Sequence, residues 1–125
     1  MCVTSDTIWY HGSPCEIDML LPGSTVTPWR ALAEAFSHKP PMLSIDDDGT
    51  ITHSGAAFGY LYRIAEPVVP GRDVIPHPRS SMGENLEYLT TCPLRLALIA
   101  STGAPTADEI ARARAILARY RAGKA

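Results

Sequence analysis

Proline and glycine divide this chain into short lengths. Eleven prolines and nine glycines fall among 125 residues. The prolines gather in "HKPPML", "EPVVPGRD" and "IPHPRSS". Proline lacks a backbone donor, so these stretches read as loops or strand ends, and the chain as many short elements joined by tight turns. No internal repeat or low-complexity linker interrupts it. One domain spanning residues 1–125 is expected, large enough to bury a core without metal or disulfide staples.

The bulk properties exclude several classes. A formal charge of −2 rules out a whole-molecule basic field for nucleic acid. Cys2, Cys15 and Cys92 are odd in number and lack C-x-x-C spacing, which argues against a disulfide framework and a thiolate zinc site. No apolar run approaches the ~20 residues of a membrane span, and "MCVTSDT" lacks the regions of a signal peptide. A cytoplasmic protein without membrane partners is the expectation.

Along the chain, Thr7–Tyr10 reads as a short buried strand. Pro22-Gly23 marks a turn, and Thr25-Val26-Thr27 a brief extended piece. A helix should follow, with Thr27 as cap, Pro28 in the first turn, and Trp29, Leu32, Ala33 and Phe36 as its apolar stripe. "MLSIDDDGTITH" (42–53) alternates around a polar turn and predicts a hairpin. Its consecutive aspartates lack the alternate spacing and closing glutamate of a calcium loop, so they read as a solvated turn. Residues 58–66 form the strongest strand candidate, with Tyr60, Tyr62 and Ile64 on one face and Leu61 on the other. Residues 86–91 and 94–100 add two more strands. At the end, Thr106 and Glu109 make a capping box for an amphipathic helix over 106–122, with Ile110, Ala113, Leu117 and Tyr120 on its apolar face.

This order predicts α+β architecture with mainly antiparallel sheet. No G-x-G-x-x-G follows a strand and no P-loop occurs, so any nucleotide would need another fold. The C-terminal helix region carries four arginines and one lysine against two acids. It reads as a solvated face with cations near the helix end, where the dipole favours them, ahead of a surface for nucleic acid or an acidic partner. His38, His53 and His77 lack ligand spacing, and no metal site is expected.

Two features carry chemistry. "IWYHGSP" (8–14) delivers the His11 ring and the bare Gly12 backbone to one spot, and Glu87 lies within a run otherwise suited to a half-buried strand. A carboxylate there must be paired, hydrated at a cleft, or functional. With these in view, "YHGS", "STVTPWRALAEAFS", "GYLYRIAEP" and "NLEYLTTCPLRLALI", in that order over roughly residues 7–100, resemble the motifs of ADP-ribosyltransferases. The likeness is nearest to the small bacterial rifamycin-modifying branch.

That resemblance implies a fold of two small, mainly antiparallel sheets around an NAD cleft, with one internal and one C-terminal helix. It implies an NAD-dependent mono-ADP-ribosyltransferase with NAD as co-substrate and an unidentified acceptor: a small molecule, a protein or a nucleic acid. His11 would hold the adenosine-side ribose, the Gly12 backbone the nicotinamide amide, and Glu87 the nicotinamide ribose. Tyr10, Ser13, Thr25, Thr27, Trp29 and Phe36 complete the implied NAD-binding set. Two departures stand out. Thr25-Val26-Thr27 occupies the place of the family's stacking tyrosine, so either a helix aromatic substitutes or stacking is weaker. Asp73 matches the acidic position of the rifamycin-modifying branch, which makes it a second candidate acid behind Glu87. Arg79, Ser80 and Ser81 are candidate phosphate or target contacts. The alternatives are a non-catalytic module that binds NAD, ADP-ribose or a protein, and an NAD glycohydrolase.

Overall fold

The computed structural model describes residues 3–40, 43–46, 48–78 and 86–123, with side chains to Arg119. Its elements run β1 (Tyr10–Ser13), β2 (Met19–Leu20), β3 (Thr25–Val26), α1 (Arg30–Ser37), β4 (Leu43–Ile45), β5 (Ile51–His53), β6 (Gly59–Ile64), β7 (Val74–Pro76), β8 (Tyr88–Thr90), β9 (Leu94–Gly103) and α2 (Ala107–Gly123). The fold is α+β with two helices, and every strand pairing is antiparallel. Strands assemble into three sheets, ordered β1-β6-β9-β2, β3-β8-β7 and β4-β5. The expected two sheets gain a third because the β4–β5 hairpin pairs only with itself.

Trp9, Leu20, Ile64 and Leu94 from the four-stranded side meet Val26, Val74 and Tyr88 of the three-stranded sheet in one buried cluster. Trp9 and Tyr88 pack edge to face with centroids 4.7 Å apart. Each fully buried large apolar side chain contributes roughly 2 kcal/mol, so this cluster dominates the stability of the two-sheet core. Thr90 stitches the Leu21–Ser24 turn to β8, its hydroxyl donating to the Leu21 carbonyl (2.9 Å) and its backbone exchanging with Gly23 and Ser24.

Helix α1 lies on the other face of the four-stranded sheet. Gly12 pairs with Leu61 across β1 and β6, and a Cβ built on Gly12 would stand 1.9 Å from the Ala33 carbonyl oxygen. Only glycine lets the helix backbone sit that close to the strand. Gly59 plays the same part further along, where a Cβ would meet the Ser37 and Thr102 hydroxyls at 2.3 Å each. Those hydroxyls bond each other at 2.6 Å and tie the helix end to β9.

Several expected boundaries shift. The first strand begins at Tyr10 instead of Thr7, because Thr7 closes a turn by donating its amide to the Thr4 carbonyl (3.2 Å), although the Trp9 carbonyl already accepts from the Ile64 amide (3.0 Å). Helix α1 begins at Arg30 with Trp29 as its cap residue; the Thr27 hydroxyl instead closes the preceding turn by accepting from the Trp29 amide (3.1 Å). The helix buries Leu32, Ala33, Ala35 and Ser37, leaving Trp29 and Phe36 half-buried. Lys39, at a left-handed φ of 54°, and Pro40 stop it. The aspartate turn behaves as a solvated hairpin end, the Asp48 carboxylate accepting from the Thr50 amide (2.9 Å). In α2 the Thr106–Glu109 capping box is present in both directions at 3.1 Å. Leu117 is the buried residue of its apolar face, and Tyr120 lies outside the described side chains. Among the described residues no helix is long and apolar enough to cross a membrane.

Candidate functional site

A cleft of about 260 Å³ opens where the four-stranded and three-stranded sheets part company. Strand β1 is the edge of the first sheet and creates it. Tyr10 exchanges two backbone hydrogen bonds with Thr27, at 2.8 and 3.0 Å, which joins the sheets at one point. Beyond that point β3 diverges, and the outer edge of β1 is left to the cleft. Tyr10, His11 and Gly12 of that edge all line it.

Antiparallel pairing alternates which residues bond inward. Both Tyr10 backbone groups turn outward to Thr27, so the Gly12 N–H and C=O, two residues on, face outward as well. They form a donor–acceptor pair on the cleft's wall. The missing Gly12 side chain serves a separate purpose: the space it would fill belongs to the α1 backbone, at the Ala33 carbonyl and the Ser37 amide.

His11 is oriented from β3. Its Nδ1 lies 2.7 Å from the Thr25 carbonyl oxygen. A carbonyl only accepts, so Nδ1 carries the proton and the neutral ring keeps its lone pair on Nε2. Burial pushes the His11 pKa below its ordinary value, against the opposing pull of the Thr25 bond. The ring is therefore a neutral, fixed hydrogen-bonding group at pH 7.

Glu87 reaches the same cleft from the opposite wall. It stands one residue before β8, which begins later than the strand expected over 86–91, and its backbone carbonyl accepts from the His77 amide at 3.0 Å. The Val26–Tyr88 pairing sets it across from the start of α1. Thr25, Thr27, Ala33 and Phe36 complete the wall. Ala33 carries no polar signal and was not legible as a site residue; its smallness is what keeps the cleft open beside Gly12.

Three of the candidate residues lie elsewhere. The Ser13 hydroxyl is buried and accepts from the Cys15 amide (3.1 Å). Trp29 caps α1 outside the cleft lining. Asp73 sits in a tight turn: one oxygen accepts from the Val69 amide (2.8 Å), and both accept from the Arg72 guanidinium at 2.9 and 3.0 Å. These partners, Arg72 first, hold its carboxyl below the usual range. An acid so fully engaged fastens a turn. Of the two candidate acids, Glu87 is the one that the fold brings to His11. Arg79, Ser80 and Ser81 lie outside the described residues. Cys15 and Cys92 are free thiols, and the described residues hold no cluster of three metal-binding side chains.

Compared with protein-family models, with curated proteins and with solved structures, the chain matches none of them.

Proposed function

Proceeding from that cleft, we propose that this protein is an NAD-dependent mono-ADP-ribosyltransferase of ADP-ribosyltransferase-like fold. The observation that supports it best is the meeting of His11, the outward Gly12 backbone pair and Glu87 around one groove. Their sequence motifs, read separately, resemble that family's.

Each group has a chemical part in the proposal. A carboxamide offers one acceptor and two donors, and the Gly12 N–H and C=O complement it. Phe36, in the cleft where Trp29 is not, is the aromatic placed to stack on the nicotinamide ring in place of a tyrosine at Thr25. Cleavage breaks the bond between nicotinamide nitrogen and ribose carbon. The electron pair leaves with nicotinamide, which becomes neutral, and the ribose passes through an oxocarbenium-like state. The Glu87 carboxylate stabilises that cation and holds a ribose hydroxyl, an electrostatic contribution preorganised by the fold. His11, kept neutral, accepts a hydrogen bond through Nε2 without adding positive charge beside the cation. The acceptor's nucleophile then bonds the ribose carbon and gives up its proton.

At about 260 Å³ the cleft is at the small end of ligand sites, so it holds one half of a dinucleotide and the other half lies beyond its mouth. The test is release of nicotinamide from NAD by the purified protein, with and without candidate acceptors. Release that needs an acceptor supports transfer. Release into water alone indicates a glycohydrolase, and calorimetric NAD binding without release indicates a non-catalytic module.

A further inference from the structure

A second cavity, about 450 Å³, lies between the β5 strand and α2. It is built around two histidines that the NAD reading does not use. His38 at the end of α1 and His53 at the end of β5 stack with centroids 5.4 Å apart and ring planes 10° apart.

The backbone gives the two rings opposite tautomers. His38 Nδ1 lies 2.8 Å from the Ala57 carbonyl oxygen, so Nδ1 bears a proton and, in the neutral ring, Nε2 is the acceptor. His53 Nδ1 instead accepts from the Gly55 amide at 3.0 Å, so its neutral ring bears the proton on Nε2, as a donor. Burial first, then the charge of His38, pushes the His53 pKa down, with Glu109 pulling the other way. Two parallel imidazoles in one cavity thus offer a matched acceptor and donor.

The rest of the lining narrows what fits them. Arg112 on α2 supplies a fixed positive charge, and Thr52 supplies a hydroxyl. Glu109 adds a negative charge, held below its usual pKa by its bonds to Thr106. Glu34 on α1 lines the neighbouring cavity, which His38 and His53 share. A ligand therefore needs an anionic group with low net charge that both accepts from His53 and Arg112 and donates to His38. Carboxylates and sulfates have no proton to give near pH 6. A phosphate monoester near its second ionisation, about pH 6, has one. Ile51, Ile110 and Ile116 provide apolar surface for the organic part, which inorganic phosphate lacks.

We propose that the cavity between β5 and α2 is a second ligand site, which takes a phosphate monoester in its singly protonated form through His38, His53 and Arg112. The test uses phenyl phosphate, phenyl sulfate and inorganic phosphate on the full chain, with calorimetry and side-chain NMR of the histidines near pH 6. Phenyl phosphate should bind and shift His38 and His53 resonances. Phenyl sulfate should bind roughly tenfold more weakly or worse, by the loss of one charged hydrogen bond, and inorganic phosphate more weakly than the ester. Affinity should fall as pH rises well above 6, when the ester loses its proton. Arg112→Gln, on an exposed helix position, should weaken binding several-fold with the fold retained, and His53→Phe should weaken it further. Equal binding of sulfate and phosphate esters would overturn the proposal, as would perturbed residues mapping away from the cavity or unchanged binding by folded Arg112→Gln. Nicotinamide release, read separately, depends on none of these residues, so either proposal can fail alone.

Discussion

The two cavities flank the same helix and are walled in different ways. The cleft at the β1 edge is framed by main chain bound to main chain. Tyr10 and Thr27 exchange both hydrogen bonds, the Thr25 carbonyl holds the His11 ring, and the α1 backbone rests on Gly12. The cavity beyond has one wall made by α2, a helix whose outer residues are mostly exposed and whose described residues bury Leu117 alone. The first arrangement leaves a side chain little choice of position, which suits the tight placement that bond cleavage needs. The second can adjust to its occupant, which suits binding.

That contrast can be broken most forcefully at Gly12. Gly12→Ala drives a methyl group into the α1 backbone, and should cost on the order of 3 kcal/mol or more, lowering the melting temperature by about 10 °C or more. A calorimetric scan showing a small change would mean that the cleft wall is as pliable as α2.

Next in size is the division between the two acids. Glu87→Gln should reduce nicotinamide release about a hundredfold or more with the melting temperature almost unchanged. Asp73→Asn should do the reverse, losing about 1–3 kcal/mol of stability with turnover of the folded protein kept. The pair is read by steady-state assay beside thermal denaturation, and exchanged phenotypes would transfer the acid's role.

Thr106→Ala removes the α2 capping box and should cost about 1 kcal/mol, visible as faster amide exchange in the first turn of α2. Cleft residues such as Gly12 should exchange as before. If they too exchange faster, the cavities are not independently walled.

The smallest effect is with pH. The His11 pKa is lower in the folded protein than in the unfolded chain, so the stability it contributes is complete above about pH 6.5. That stability is lost as pH falls through the folded value. Melting temperature against pH should therefore decline less steeply over that interval in His11→Asn than in the unaltered protein.

Sequence patterning was legible where one residue's surroundings are local. The β4–β5 hairpin follows from alternation about its turn, and α2 from its capping box and stripe. Strand β6 follows from its aromatic and branched residues. It failed where partners come from far along the chain. Ile8-Trp9 has the look of a strand, and the Trp9 carbonyl does bond to β6 while its side chain fills the core; the strand that follows contains a histidine and a glycine whose partners, α1 and the cleft, come from elsewhere in the chain. Strand β7 (Val74–Pro76) hides in a proline-rich stretch. It is readable only once β7 is known to be a sheet edge, where proline's missing donor costs nothing. Of the candidate site, the histidine, glycine and glutamate are visible as residues, and Asp73 stands behind Glu87 as a second candidate acid. Nothing in the chain order reveals that Arg72 and the Val69 amide already occupy it. The opposite tautomers of His38 and His53 were equally hidden, since each depends on a loop backbone group.

The pair of hydroxyls beneath Gly59 has a consequence for how this chain can change. Ser37, Thr102 and a residue without a side chain share one small volume, so none of the three can be exchanged for something bulkier while the other two stay. Drift, or a designer, has to replace them as a set, and the seam between helix and sheet is inherited whole.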